Sequence, residues 1–163
     1  MKILGIDPGL NRTGYGMIEA SGPDDMRLVE AGVIRTSVSD GISKRLADIY
    51  TNISDVVSEN TPSVLVLEKL YAHYKHPTTA LLMGHARGVV CLVCGMKGVR
   101  LVSYGATRIK KSVTGNGHAG KHQVQRMVRS ILDLNKPPAP FDVSDALAMA
   151  ISFIYIEGIR NDR

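Results

Sequence analysis

Two short apolar runs that each end in an acid constrain this chain most. Ile3-Leu4-Gly5-Ile6 runs into Asp7, and Val64-Leu65-Val66-Leu67 runs into Glu68. Neither run alternates apolar with polar residues, so both read as central strands covered on two faces. An acid that terminates such a strand projects into the crevice at the strand ends. Asp142 and Asp145 lie three residues apart at the head of another apolar stretch, Ala146 to Ile154. That spacing places both on one face of a helix.

The remaining pattern fills in around these elements. Lys2 to Asp7 reads as the first strand, Gly14 to Ala20 as its hairpin partner and Arg27 to Thr36 as the third, with Ser21-Gly22-Pro23-Asp24-Asp25 as a turn. The loops are too short for crossovers, so these three strands form an antiparallel meander. Ser43 to Glu59 has a helical apolar period, Ser39-Asp40 can cap it, and Thr61-Pro62 ends it. Ser63 to Glu68 is the fourth strand and Gly98 to Ser103 the fifth. Helices are expected over Pro77 to Met96, Thr107 to Val113, Lys121 to Leu134 and Asp142 to about Gly158. Thr114 to Gly120 reads as a mobile Gly-rich loop, and Lys136-Pro137-Pro138-Ala139-Pro140 as a rigid lead-in. The order predicts an α/β fold, one mixed sheet with helices on both faces. Residues 1–158 are expected to form a single domain, with 159–163 a frayed tail.

At 163 residues the chain holds one well-cored domain, and its formal charge of +5 leans modestly towards a polyanionic partner. No secretory segment and no apolar run of transmembrane length is expected. The two cysteines, Cys91 and Cys94, lie among valines and leucines without a second pair, so they read as core-packing thiols rather than a zinc or redox site. Free thiols in such a chain point to a reducing, cytoplasmic setting.

Each acid has a plain structural reading. Asp7-Pro8-Gly9 is a good turn, and Asp142 with Asp145 can be a capping box with Asp in place of Glu. Glu68 is harder to place, because Glu seldom ends a buried strand without a partner or a function. Four converging carboxylates repel one another unless cations hold them, and hard oxygen donors suit Mg²⁺ or Mn²⁺. The leading reading is a metal-dependent phosphoryl-transfer enzyme.

The chain resembles the RuvC family of bacterial Holliday junction resolvases, within the ribonuclease H-like superfamily, from Lys2 to about Ile154. The resemblance is carried by Gly5-Ile6-Asp7-Pro8-Gly9 with Thr13-Gly14-Tyr15-Gly16; by Leu67-Glu68; by Gly84-His85-Ala86-Arg87-Gly88; by Ile109-Lys110-Lys111 with Val113-Thr114-Gly115 and Gly117; by Lys121 with Gln123-Val124; and by Asp142 with Asp145-Ala146-Leu147-Ala148. It implies a ribonuclease H-like five-stranded mixed sheet, its first three strands antiparallel. It implies that Asp7, Glu68, Asp142 and Asp145 carry catalysis and bind two divalent ions, Mg²⁺ with Mn²⁺ as a substitute. It implies a homodimer making symmetric nicks in four-way junction DNA, leaving 5′-phosphate and 3′-hydroxyl ends, with a branch-migration helicase complex as partner. It moves Lys110 and Lys121 towards phosphate contact and gives Tyr71 a base to stack on. Lys111 is a further basic candidate, Arg87 is either structural or phosphate-binding, and Arg108 and Arg126 are weaker. One departure stands out: Phe153 occupies a register where the family often has histidine.

The long helix from Pro77 is apolar on more than one face, and Gly84 and Gly88 would let a second backbone approach, so it reads as either an under-sheet helix or a two-fold interface. Competing functions are an RNase H-like nuclease on RNA or other branched DNA, a silent junction-binding protein, and an actin-like phosphotransferase, which would need a second Gly-rich turn.

Overall fold

The computed structural model describes residues 1–70 and 77–158. In chain order the elements are β1 (Lys2–Asp7), β2 (Arg12–Gly22), β3 (Asp25–Arg35), α1 (Ile42–Asn60), β4 (Val64–Glu68), α2 (Pro77–Lys97), β5 (Arg100–Tyr104), α3 (Ala106–Thr114), α4 (Lys121–Ile131) and α5 (Phe141–Glu157). The expected frayed tail, 159–163, lies outside the described residues.

One five-stranded sheet runs β3-β2-β1-β4-β5. The first three strands pair antiparallel, while β1 with β4 and β4 with β5 are parallel. The two acid-ended runs are therefore neighbours at the centre, as their unbroken apolar character requires. Side chains alternate across the sheet. Ile3, Val64 and Val66 pack into one core with α3, α4 and α5. Leu4, Ile6, Leu65 and Leu67 pack into the other with α1 and α2. Asp7 and Glu68 share the parity of Ile3 and Val66, so both belong to the α5 face.

Two glycines set how closely α5 approaches. A Cβ on Gly5 would overlap the Ala146 carbonyl and fall 3.0 Å from the Ala150 nitrogen. A Cβ on Gly14 would overlap the Asp142 carbonyl and fall 2.9 Å from the Asp142 Cβ. The start of α5 is thus seated on β1 and β2 at the end where β1 finishes.

Several expected boundaries are corrected. Ser39 and Asp40 do not cap α1: the N-cap is Gly41, without a side-chain cap, and Asp40 pairs instead with Lys44 at 2.9 Å. α4 stops at Ile131, three residues early, because Asp133 turns the chain at φ 48. Leu132 remains buried outside the helix, so the apolar period continued where the helix did not. β2 begins two residues earlier than its apolar pattern suggests, and β5 runs from Arg100 rather than Gly98, whose φ of 66 belongs to the turn after α2. The Gly-rich loop is laced rather than loose. Asn116 Oδ1 accepts from the His118 amide at 3.0 Å, and Thr114 Oγ1 donates to the Asn116 carbonyl at 3.0 Å. Against the expectation of no apolar run of transmembrane length, α2 has one stretch, Thr78–Lys97, long and apolar enough to cross a membrane. Its Ala86, Val90, Val93 and Cys94 are nonetheless buried against the sheet. Cys94 is a buried thiol pushed up to about 11 by burial, and Cys91 is partly buried.

Candidate active site

Asp7 and Glu68 close adjacent parallel strands. Ile6 pairs with Leu67, so the next residue on each strand is an acid and the two stand about one strand spacing, ~4.8 Å, apart along the backbone. Asp7 also pairs with Gly14 across the antiparallel ladder, and Gly14 carries the backbone of Asp142. Asp145 follows on the same helical face. The fold therefore gathers all four acids at one end and on one face of the sheet.

The capping-box reading of Asp142 and Asp145 does not hold. Pro140 is the N-cap, without a side-chain cap, and the Val143 amide donates to the Pro140 carbonyl at 3.0 Å. Asp142 is the second helical residue, where its charge suits the helix dipole while its side chain is not spent on an amide.

Electrostatics record the convergence. Burial, then the charges of Asp145, Asp142 and Glu68, raise the Asp7 carboxyl from 3.8 to about 7, with Lys121 opposing. Burial and then Asp145 raise Glu68, against Lys110 and Arg87. Asp145 is raised by burial, with Lys121 and Lys110 opposing and Asp142 adding to the rise. Among the described residues no three His, Cys, Asp or Glu side chains close into a finished ligand cage. The acids are close enough to destabilise one another's charge, and they offer only oxygen donors. That donor set fits a hard divalent cation, which would relieve the repulsion and draw the carboxylates inward.

The basic candidates divide. Lys110 on α3 and Lys121 at the head of α4 bear on the acids. Lys121 Nζ also lies 5.9 Å from the centre of the Phe141 ring, the first residue of α5. Arg87 reaches from α2 under the site. It donates through Nη1 to the Glu68 carbonyl and through Nη2 to Ser103 Oγ at 3.0 Å. Lys111 turns away into a cleft beside β5 with Lys69 and Arg108. Tyr71, and the neighbouring His73 and His76, lie outside the described residues. Phe153 is 2% exposed and lies beneath Arg100, whose guanidinium is 5.7 Å from the ring centre. Arg100 opens β5 opposite Val64, whereas Glu68 is level with Tyr104. The departure at Phe153 thus falls at the far end of the sheet from the acids.

Sequence reading missed Arg12 and Arg35. They face each other across β2 and β3, next to the Asp7–Gly14 end of the sheet, and both are exposed. Like charges directly opposite cost stability. Only the strand register, invisible before the fold, shows that they are opposed.

Comparison with known proteins decides the family. Residues 3–153 match the family described as crossover junction endodeoxyribonuclease RuvC. The chain belongs to the RuvC family. A RuvC relative from Rhodopirellula baltica is 47% identical over 94% of this chain and 86% of its own length. Another, from Caldicellulosiruptor saccharolyticus, is 41% identical over 94% of this chain and 92% of its own. The structure of Thermus thermophilus RuvC in complex with Holliday junction substrate superposes with a TM-score of 0.88 at 31% identity, covering 96% of this chain and 94% of that one. The yeast mitochondrial Holliday junction resolvase shares the fold, with a TM-score of 0.67 at 15% identity over 94% of this chain and 77% of that one. RuvC membership makes this chain a nuclease with a ribonuclease H-like α/β fold, and it implies use of a divalent metal.

Proposed function

We propose that this chain is a homodimeric Holliday junction resolvase that makes paired, symmetric nicks in four-way DNA by hydrolysis, leaving 5′-phosphate and 3′-hydroxyl ends. The observation that carries the reading is the meeting of Asp7, Glu68, Asp142 and Asp145 on one face of the sheet end, in a chain matched to the family over residues 3–153.

Asp7, Glu68, Asp142 and Asp145 would hold two Mg²⁺ ions. Ions held there would supply a nucleophile at neutral pH and offset charge on the departing 3′ oxygen. The chain's own work is positional. Asp7 and Glu68 stand on rigid paired strands, Gly5 and Gly14 let α5 bring the other two acids down, and Arg87 fixes the backbone at Glu68. Lys110 and Lys121 hold the scissile phosphate and balance the acids, and Lys111 and Tyr71 grip the flanking strand. Phosphate contacts of this kind give affinity without sequence information.

Residues 1–158 act as one nuclease domain. α2 supplies the two-fold interface: Leu81, Leu92 and Met96 are 68%, 54% and 63% exposed, and among the described residues nothing lies within 4 Å of where a Cβ would stand on Gly84 or Gly88. Two sites related by a two-fold axis fit a substrate of the same approximate symmetry. The setting is cytoplasmic, in recombination and repair, beside a branch-migration helicase.

Substrate choice tests the reading. A labelled four-way junction should be nicked at paired sites in Mg²⁺ while matched duplex and RNA–DNA hybrid are spared. Preferential cutting of the hybrid would move the enzyme to RNA instead.

A further inference from the structure

The cleft that receives Lys111 is not explained by the four acids. It has a volume of about 670 Å³ and is lined by Lys69, Ser103, Tyr104, Gly105, Ala106, Thr107, Arg108 and Lys111. Three of these are cationic and none is acidic. Among the described residues the ion pairs are Arg27–Glu19, Lys44–Asp40 and Arg100–Glu157, so Lys69, Arg108 and Lys111 have no carboxylate partner there. The Arg108 guanidinium sits over the Tyr104 ring, 5.3 Å from its centre.

The backbone adds to the charge. α3 starts from Gly105, which offers no side-chain cap. The first amides of the helix, on Ala106 and Thr107, are therefore without a capping side chain on the wall of the cleft, at the positive end of the helix dipole. The walls are tied to the candidate active site. Lys69 follows Glu68 directly, and its amide donates to the Tyr104 carbonyl at 2.8 Å. Ser103 is held by the same Arg87 that holds Glu68. Gly117 of the Gly-rich loop packs on Thr107, where a Cβ would stand 3.2 Å from the Thr107 carbonyl oxygen.

We propose that this cleft is a second phosphate subsite, which holds a backbone phosphate of the DNA strand on the β5 side of the cut. It rests on the nuclease reading above and adds the direction in which the strand leaves the acids: from Asp7 past Glu68 and over the end of β5. Two strand spacings separate Asp7 from β5, about 10 Å. A strand winds as it rises, so its successive phosphates stand further apart than the roughly 3.4 Å of axial rise, and the held phosphate lies about one to two nucleotides from the scissile one. Charge-assisted hydrogen bonds from Arg108, with Lys69 and Lys111 as point charges, suit a phosphate oxygen set.

The test uses the full chain with Lys69→Gln, Arg108→Gln and Lys111→Gln combined, and junction binding is followed in EDTA so that no strand is cut. The variant should melt as the wild type does and bind about ten- to a hundredfold more weakly. The slope of log affinity against log salt should fall by about 0.9 for one lost phosphate contact. Single methylphosphonate substitutions then map the contact. Wild type should lose affinity at one phosphate about one to two nucleotides from the cut, and the variant should be indifferent there. An unchanged salt slope, or equal sensitivity of both proteins at that phosphate, overturns the subsite. Arg108→Lys, which keeps the charge, should recover part of the slope, an outcome that a purely structural role for Arg108 does not give. Wild type that neither binds nor cuts the junction is a different failure, and it removes the resolvase reading itself.

Discussion

Gly14 lies directly beneath Asp142: a Cβ there would overlap the Asp142 carbonyl and fall 2.9 Å from its Cβ. Because Gly14 also pairs with Asp7, one missing side chain brings two acids from different elements together. Gly14→Ala should lift the head of α5. A loss of about 1–3 kcal/mol is expected from the forced contact. Cleavage should fall further than the folded fraction does, because Asp142 and Asp145 move with the helix. Melting and single-turnover rates, measured together, separate the two effects. An alanine variant with normal rate per folded molecule would mean that α5 need not sit this close.

The raised carboxyl of Asp7 gives a pH signature. A carboxyl whose folded pKa exceeds its unfolded value contributes stability that is complete below about 3.8 and is lost as pH rises through about 7. Metal-free wild type should therefore weaken from this group between those values. Asp7→Asn should be more stable than metal-free wild type near pH 8 by roughly 1–3 kcal/mol, and equal to it near pH 3. Mg²⁺ added near pH 8 should raise the melting temperature of wild type and leave the variant nearly unmoved. Equal melting of the two metal-free proteins at pH 8 would deny that the acids repel.

Arg87 distinguishes a support from a DNA contact. Its guanidinium bridges the Glu68 carbonyl and Ser103, a two-pronged task that lysine cannot copy. Arg87→Lys should cut the catalytic rate about ten- to a hundredfold through a displaced Glu68. Junction affinity and its salt slope should stay as in wild type. A lowered slope at normal rate would place Arg87 on a phosphate instead.

Phe153 tests how far the site extends. It fills core beneath Arg100 at the far end of the sheet from the acids. Phe153→Leu should cost about 1–2 kcal/mol of stability and leave the rate per folded molecule unchanged. A changed Mg²⁺ requirement would show that the position reaches the acids after all.

Much of this was legible because burial leaves a mark on composition. The unbroken apolar runs before Asp7 and Glu68 announced central strands, and the short loops announced the meander. The position of the acids at the strand ends followed from there. The roles of Gly5 and Gly14 were not legible. A glycine in a strand says only that something comes close, and what comes close to Gly14 is a helix that starts 127 residues later in the chain. The end of α4 was missed because Leu132 is buried just past it, so an apolar period alone cannot report where Asp133 breaks the backbone. Asp142 was open to a capping reading until Pro140 proved to be the N-cap.

The two-fold interface proposed on α2 can be tested without DNA. Leu92→Glu puts a charge on an apolar face that is 54% exposed in the single chain. The variant should run as a monomer in sedimentation and lose paired nicking. Retained dimers would move the two-fold contact elsewhere.

The most direct measurement is cleavage of a labelled four-way junction in Mg²⁺ by wild type, Asp7→Asn and Glu68→Gln, with binding measured in parallel. Paired, symmetric nicks by wild type alone, with all three proteins bound to the junction, are expected if the four acids hold the catalytic metals. Tight binding by all three without nicks in Mg²⁺ or Mn²⁺, or undiminished nicking by either variant, would contradict that assignment.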